Sequence, residues 1–148
     1  VTHSAIQIAN VHRLRGEYEH AKSIYGEIMG NGIQHPSFSI ILDKIGEVFS
    51  EQKDYNAAIK HHMTAIRIRR KCLNVTVNPE IADGMSSIGL ALLKKNRKRE
   101  AMDHFTIALK MYRESHFCSY HPSVTRTIRN MTDFDHGEDD LETTSIFS

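Results

Sequence analysis

Residues 36–79 read PSFSIILDKIGEVFSEQKDYNAAIKHHMTAIRIRRKCLNVTVNP, and this stretch decides the fold because it is one full copy of a unit that recurs. His35-Pro36, Asn78-Pro79 and His121-Pro122 follow one another at intervals of 43 residues. Inside that frame Ile45-Gly46 returns as Ile88-Gly89, Ala58 as Ala101 and Ala65 as Ala108. A fixed period of roughly 20 to 50 residues marks a stacked-repeat architecture, in which no unit buries its apolar face alone and each neighbour supplies the missing core.

Written out, the central unit is Leu42-x2-Ile45-Gly46-x2-Phe49 followed by Ala58-x3-His62-x2-Ala65. The next is Met85-x2-Ile88-Gly89-x2-Leu92 followed by Ala101-x3-Phe105-x2-Ala108. This pattern resembles the tetratricopeptide repeat, in which a large apolar residue, Leu-Gly and an aromatic on one helix answer Ala, an aromatic and Ala on an antiparallel second helix. The small residues have a physical task. Gly46 or Gly89 lets Ala58 or Ala101 approach closely, and large side chains fill around that contact. Two features depart from the pattern: His62 stands at an aromatic position, and the pitch is 43 where about 34 is usual. The longer pitch and the x-Pro opening of each unit are most similar to the repeats of kinesin light chains. The resemblance covers about residues 2–132 and implies an all-α fold, a right-handed α-solenoid of three helix pairs closed by a capping helix.

Working outward, Ile6, Ile8, Ala9 and Val11 recur at helical spacing, Arg15-Gly16-Glu17 interrupts, and Tyr18, Ala21, Ile24, Tyr25 and Ile28 resume the pattern as a diverged first pair. Tyr18 and Ala21 precede Tyr55 and Ala58 by 37 residues instead of 43, so about six residues are missing from the end of this second helix. Gly26, Gly30, Asn31 and Gly32 supply the left-handed conformations that end a helix early. Pro36 suits the first turn of the next helix, and Asp54 caps its partner, which runs through Tyr55, Ala58, Ile59, Met63, Ile66 and Ile68. The third pair runs from Pro79 to Lys95 and from Arg97 to Ser115, and Val124, Ile128 and Met131 give a final amphipathic helix. The spacing thus predicts seven helices, at about 2–14, 17–30, 37–52, 54–73, 79–95, 97–115 and 121–132, and no strand. As units, these are about 2–34, 35–77 and 78–120 with a capping helix at 121–132, all within one repeat domain over 1–132.

The 148 residues are long enough to bury a core, and 25% charged with 40% apolar residues is the composition of an ordinary soluble protein. No apolar run approaches the ~18 residues of a membrane span, and no charged-then-apolar leader is present. The first residue is Val, so a piece of a longer protein is one expectation. Cys72 and Cys118 form neither a disulfide framework nor a metal pattern, which points to two thiols in a reducing, cytoplasmic compartment. From Asp133 the composition changes. Six acids and no Lys or Arg follow, against 19 basic and 12 acidic residues before it, so a body of about +7 precedes a tail of −6. Low hydrophobicity with uncompensated charge predicts that 133–148 is a disordered acidic tail.

Motifs for chemistry are thin. There is no phosphate-binding Gly-rich loop, His-Glu-x-x-His or Cys-x-x-Cys, and Gly84-Met85-Ser86-Ser87-Ile88-Gly89 is only a near miss to a nucleophile elbow, on a helix. No enzyme activity and no cofactor are expected. The adjacent His61 and His62 diverge by about 100° on a helix and have no third ligand at i+4, so His62 reads as core, His61 as solvated surface and neither as a metal ligand. Arg67, Arg69, Arg70 and Lys71 fall in the last turns of a helix, where cations meet the negative dipole end. Without interleaved aromatic residues they do not point to single-stranded nucleic acid. Neither nucleic acid nor membrane is an expected partner.

What the resemblance implies for function is a concave groove lined by the first helix of each pair, binding a protein or peptide segment. Carried over position by position, it nominates Gln7, Asn10 and Arg13 in the first unit and Asp43, Lys44, Glu47 and Ser50 in the second. The third unit adds Asp83, Ser86, Ser87, Leu90 and Lys94, and the capping helix Arg126, Arg129 and Asn130. The chaperone-binding members of this family grip a carboxylate with a clamp of Lys, Asn and Arg. The matching positions here are Ile6, Asn10, Lys44, Asp83 and Ser87, where only Asn10 fits and Asp83 repels a carboxylate. Two readings follow: a peptide-binding adaptor or scaffold, or a structural segment of a longer solenoid with no independent site.

Overall fold

The computed structural model describes residues 2–30 and 37–133, and among them seven helices and no strand. They are α1 (Thr2–Leu14), α2 (Tyr18–Gly30), α3 (Ser37–Glu51), α4 (Tyr55–Leu73), α5 (Pro79–Lys94) and α6 (Lys98–Glu114), followed by α7 over residues 122–133. Each lies within two residues of its expected bounds. Asp133, which composition assigned to the tail, is the last residue described and is still helical. The start at Pro36, the helix-ending role of Asn31 and Gly32, and the remainder of the acidic tail lie outside the described residues.

The chain reverses inside each pair by the same device. Gly16, Lys53 and Asn96 take left-handed φ angles of 77°, 64° and 60°. The next residue, Glu17, Asp54 or Arg97, then donates its backbone N–H five residues back, to His12, Phe49 or Leu92, at 2.9 Å in each case. This Schellman closure satisfies carbonyls left open at the helix end. Left-handed backbone therefore sits between the helices of a pair, on Lys and Asn as well as Gly. Gly26, expected to help end α2, lies within the helix instead, and Gly30 is its last residue. The early stop is real: α2 has 13 residues where α4 has 19.

The Asp54 cap stands where the sequence indicated, and Asn78 adds one that the sequence reading did not name. The Asp54 side chain accepts from the Ala57 N–H at 3.1 Å, and Asn78 accepts from Glu80 and Ile81 with Pro79 in the first turn, so exposed N–H groups at both helix starts are satisfied.

Close packing within a pair depends on glycine, although the group it admits is the ring and not chiefly the small residue. A Cβ on Gly46 would stand 2.7 to 2.9 Å from the His62 ring. On Gly89 it would stand 2.7 Å from the Phe105 ring and 3.2 Å from the Ala101 carbonyl oxygen. Two apolar clusters result. One joins α1, α2 and α3 through Ala9, Ala21, Tyr25, Ile41, Ile45 and Val48. The other runs from Ile66 of α4 through Phe105 and Tyr112 to Val124 of α7. Burial of this kind, at roughly 25 cal/mol per Å² of apolar surface, is what holds one pair on the next.

Some positions read as core face outward. Ile8, Val11, Met63 and Ile128 are all substantially exposed. On α7 the inward place next to Ile128 is taken by Thr127, fully buried, whose hydroxyl meets Ser86 Oγ at 2.8 Å and donates to the Ser123 carbonyl.

Candidate functional site

Helices α3, α5 and α7 stand side by side and enclose a groove of about 630 Å³. The repeat explains the alignment: positions 43 residues apart occupy equivalent places on successive first helices, so Lys44, Ser87 and Asn130 form one row across the groove. The floor is made of small side chains, Gly84, Ser86 and Ser87 among them, and Ile40 and Leu90 provide its apolar surface.

The groove's charges are largely paired with one another. At one end Asp43 receives two partners from α4: His62 Nδ1 at 2.9 Å and the Arg69 guanidinium at 2.5 Å. Because a carboxylate only accepts, His62 carries its proton on Nδ1. Arg69 is 3% exposed, and its Nε lies 3.2 Å from Glu80 without making a hydrogen bond. Lys44 reaches Glu47 at 3.0 Å. Arg13 of α1 pairs with both Glu47 and Glu51. At the far end Asp83 accepts the Tyr112 hydroxyl at 2.5 Å, with Arg126 at 3.9 Å. Burial first, then that hydrogen bond and the Asp83 charge, raise the Tyr112 pKa well above the ordinary tyrosine range. Five carboxylates (Asp43, Glu47, Glu51, Glu80, Asp83) face three lining cations (Lys44, Arg69, Arg126), and Arg13 reaches Glu47 and Glu51 from α1, which leaves the groove with a small excess of acid.

Of the residues nominated from sequence, Asp43, Lys44, Glu47, Ser50, Asp83, Ser86, Ser87, Leu90, Arg126 and Asn130 line this one groove. Five do not. Gln7, Lys94 and Arg129 are exposed elsewhere, Arg13 is engaged by Glu47 and Glu51, and Asn10 turns inward to accept the Tyr25 hydroxyl at 2.7 Å. Ser86, nominated as a groove side chain, is 2% exposed and committed to Thr127.

Sequence reasoning missed Ile40, Glu51, His62, Arg69, Glu80, Gly84 and Ser123 as lining residues. Strict use of the 43-residue register would have found Ile40, which is equivalent to Asp83 and Arg126. It would also have paired Glu80 with Ser123. No such signal marks Arg69. Sequence placed it with Arg67, Arg70 and Lys71 at the negative dipole end of α4, but unlike them it is buried, because Asp43 and Glu80 compensate its charge. His61, expected to be solvated, is half-buried, stacks on Phe49 at 5.1 Å between ring centroids and donates to the Ala57 carbonyl. Among the described residues no group of three or more His, Cys, Asp or Glu side chains could hold a metal ion, and no helix is long and apolar enough to cross a membrane.

The architecture has counterparts among solved structures. The N-terminal domain of stress-induced protein-1 from C. elegans superposes with a TM-score of 0.65 at 18% identity, over 88% of this chain and 93% of that one. BtubC from P. vanneervenii gives 0.75 at 16%, over 93% and 56%. Nearly identical tetratricopeptide-like repeats assigned to a kinesin light chain of Podosopora anserina give 0.68 at 14%, over 99% and 71%. At such identities the likeness is one of fold. No curated protein sequence matches the chain. The family model for the tetratricopeptide repeat matches residues 37–114, more than half of the length. With its 43-residue pitch, glycine-admitted rings and helix pairs stacked into a solenoid, the chain belongs to the tetratricopeptide repeat family.

Proposed function

We propose that this chain is a protein-interaction module, an adaptor or scaffold without catalysis of its own, that holds a segment of a partner protein in the groove between α3, α5 and α7. The observation that carries this reading is the groove itself: about 630 Å³, open, floored by Gly84 and serines, and walled by Ile40 and Leu90. Small side chains let an extended or helical segment lie close to the backbone, and the two apolar residues offer it anchoring surface. The charges refine the chemistry. Lys44, Arg69 and Arg126 already face carboxylates of the groove, so a partner gains by supplying cations to the acid-rich lining, and an acidic partner meets repulsion. This replaces the clamp logic of the carboxylate-binding members, which Asp83 and Ser87 do not satisfy. The reading takes residues 1–132 as one binding domain, acting in the cytoplasm on protein and not on nucleic acid or membrane.

The test is a peptide-display selection against the wild-type protein. Selected peptides should be enriched in Lys and Arg beside apolar residues, and Ser87→Arg, which fills the groove floor and adds a cation, should weaken them at least about tenfold, or 1.4 kcal/mol. Peptides that bind wild type and Ser87→Arg equally would remove the groove from consideration.

A second reading has one specific observation behind it. Ile8, Val11 and Leu14 are spaced three residues apart on α1 and are 54%, 46% and 77% exposed. Such a stripe suits stacking against further repeats, as in a structural segment of a longer solenoid. Recovery of no groove-dependent peptide, together with stabilisation of this chain by an added helix pair stacked on α1, would favour it.

A further inference from the structure

We propose that the outer face of the solenoid carries a second binding site, a cavity between α4 and α6 suited to an acidic segment with apolar side chains, and that residues 134–148 of this chain occupy it. The inference is independent of the inner groove. The cavity measures about 550 Å³, and Met63, Ile66, Met85 and Ile88 give it an apolar floor. Met63 is 53% exposed, and with Met85 beside it the apolar surface is continuous and open to a partner. Around this floor stand Arg67, Arg70 and Lys71. Among the described residues no carboxylate pairs with any of the three. In the inner groove, by contrast, Lys44, Arg69 and Arg126 each face an acid. The dipole of α4 accounts for cations in its last turn, Arg70 and Lys71. It does not account for an exposed methionine and an apolar floor beside them.

The sequence of 134–148 is complementary on both counts. It carries Asp135, Glu138, Asp139, Asp140 and Glu142 with no Lys or Arg, and among them Phe134, Leu141, Ile146 and Phe147. The acids match the three cations, and the apolar residues match the floor. Reach is sufficient. By the 43-residue register Asp133 stands level with Leu90 of α5, two residues beyond Ile88 of the cavity. A chain of 15 residues spans up to about 50 Å, several helix diameters of about 10 Å each. Tethering gives such a segment an effective concentration on the order of mM, so a weak site is substantially filled without a tight interface. The inner groove is a poor competitor for it, because its cations Lys44, Arg69 and Arg126 already face carboxylates of that face.

The experiment uses the full chain with methyl-labelled methionine. Met63 and Met85 report on the cavity and Met29 of α2 serves as a remote control. One variant neutralises the segment (Asp139→Asn, Asp140→Asn, Glu142→Gln) and another removes its apolar end (Ile146→Ser, Phe147→Ser). Both should shift the Met63 and Met85 methyl resonances and leave Met29 in place. Arg67→Glu with Arg70→Glu should reproduce the shift from the other side. Raising salt until the screening length falls to about 3 Å should move wild type toward the variants. A synthetic 134–148 peptide added to the neutralised variant should restore the wild-type positions, and this should weaken roughly tenfold or more between low and physiological salt. Met63 and Met85 resonances unchanged by both segment variants would overturn the proposal. So would equal shifts at Met29 and at the two cavity methionines, and a shift that fades on dilution would overturn occupancy by the chain's own segment.

Discussion

The α3/α4 and α5/α6 pairs share a backbone plan and a register, and they differ in what fills the seam. Where α4 has His62, α6 has Phe105; where α4 has Arg69, α6 has Tyr112; and Asp43 of α3 corresponds to Ser86 of α5. In the first pair these positions form a buried charged cluster, with Asp43 holding both His62 and Arg69. In the second, Phe105 and Tyr112 belong to the apolar core, with Tyr112 stacked near Phe117 at 5.7 Å and tied to Asp83 through its hydroxyl, and Ser86 bonds to Thr127. The ring that glycine admits is thus polar in one pair and apolar in the other. One repeat frame accepts either solution provided that each is complete: a charged seam needs every partner present, whereas an apolar seam needs only volume and shape.

The largest expected effect comes from breaking the charged seam. Asp43→Ala leaves Arg69 buried beside Glu80 alone, and denaturant unfolding should show a loss of about 3 to 5 kcal/mol. The whole-cluster exchange Asp43→Ser, His62→Phe and Arg69→Tyr, which copies the neighbouring pair, should restore most of that loss. If the triple variant is no more stable than Asp43→Ala, the equivalence of the two seams is wrong.

Alkaline titration probes the apolar side. Burial pushes the Tyr25 hydroxyl, at the ring position of the first pair, up to about 12, and Tyr112 is raised for the same first cause. With folded pKa values above the unfolded value near 10, the folded state holds protons that the unfolded chain has released. Stability is therefore complete below pH 10 and falls as pH rises toward about 12. The loss should be on the order of 2 to 3 kcal/mol for Tyr25 alone. Absorbance at the phenolate band should show two of the five tyrosines ionising late, coincident with unfolding. Tyr25→Phe should remove one late step.

Glycine substitution sharpens the comparison further. Gly89→Ala drives a Cβ into the Phe105 ring and toward the Ala101 carbonyl, an overpacking cost of about 1 to 3 kcal/mol. Gly84→Ala meets only the Ile66 side chain, at 3.0 and 3.1 Å, and should cost less. Thermal midpoints in the reverse order would show that the seam relaxes more readily than its packing implies. The smallest effect belongs to the cap. Asp54→Ala leaves the Ala57 N–H without its side-chain acceptor and should lower stability by about 1 kcal/mol, measured by the same denaturant midpoint.

Much of the site was legible for the same reason that the fold was. Lys44, Ser87 and Asn130 line one groove because a helix repeats its exposed face as regularly as its buried one, so register alone aligns them. Asn10 lies outside the groove and Ser86 lines it with its hydroxyl already committed, because each sits near the border of that face, where the partner across the seam decides its direction. Tyr25 draws Asn10 inward, and Thr127 engages Ser86. Arg69 could not be placed by pattern. An arginine in the last two turns of a helix has the same periodicity whether it is solvated, like Arg70, or buried against Asp43 from 26 residues earlier.

By itself the sequence determined the architecture: the pitch, the pairing of helices, their bounds and the small residues that set the seam within a pair. These follow from local terms, propensity, capping and apolar periodicity, and a repeat multiplies them. The tertiary structure decided which charges meet. Asp43 finds His62 and Arg69 across the seam, and Arg13 finds Glu47 and Glu51 on another helix. The outer-face cations Arg67, Arg70 and Lys71 are left beside apolar surface. The physical reason is reach. Pairing of buried charge depends on a few ångströms between side chains of different helices, and a period of 43 residues specifies where the helices stand without specifying how far those side chains extend.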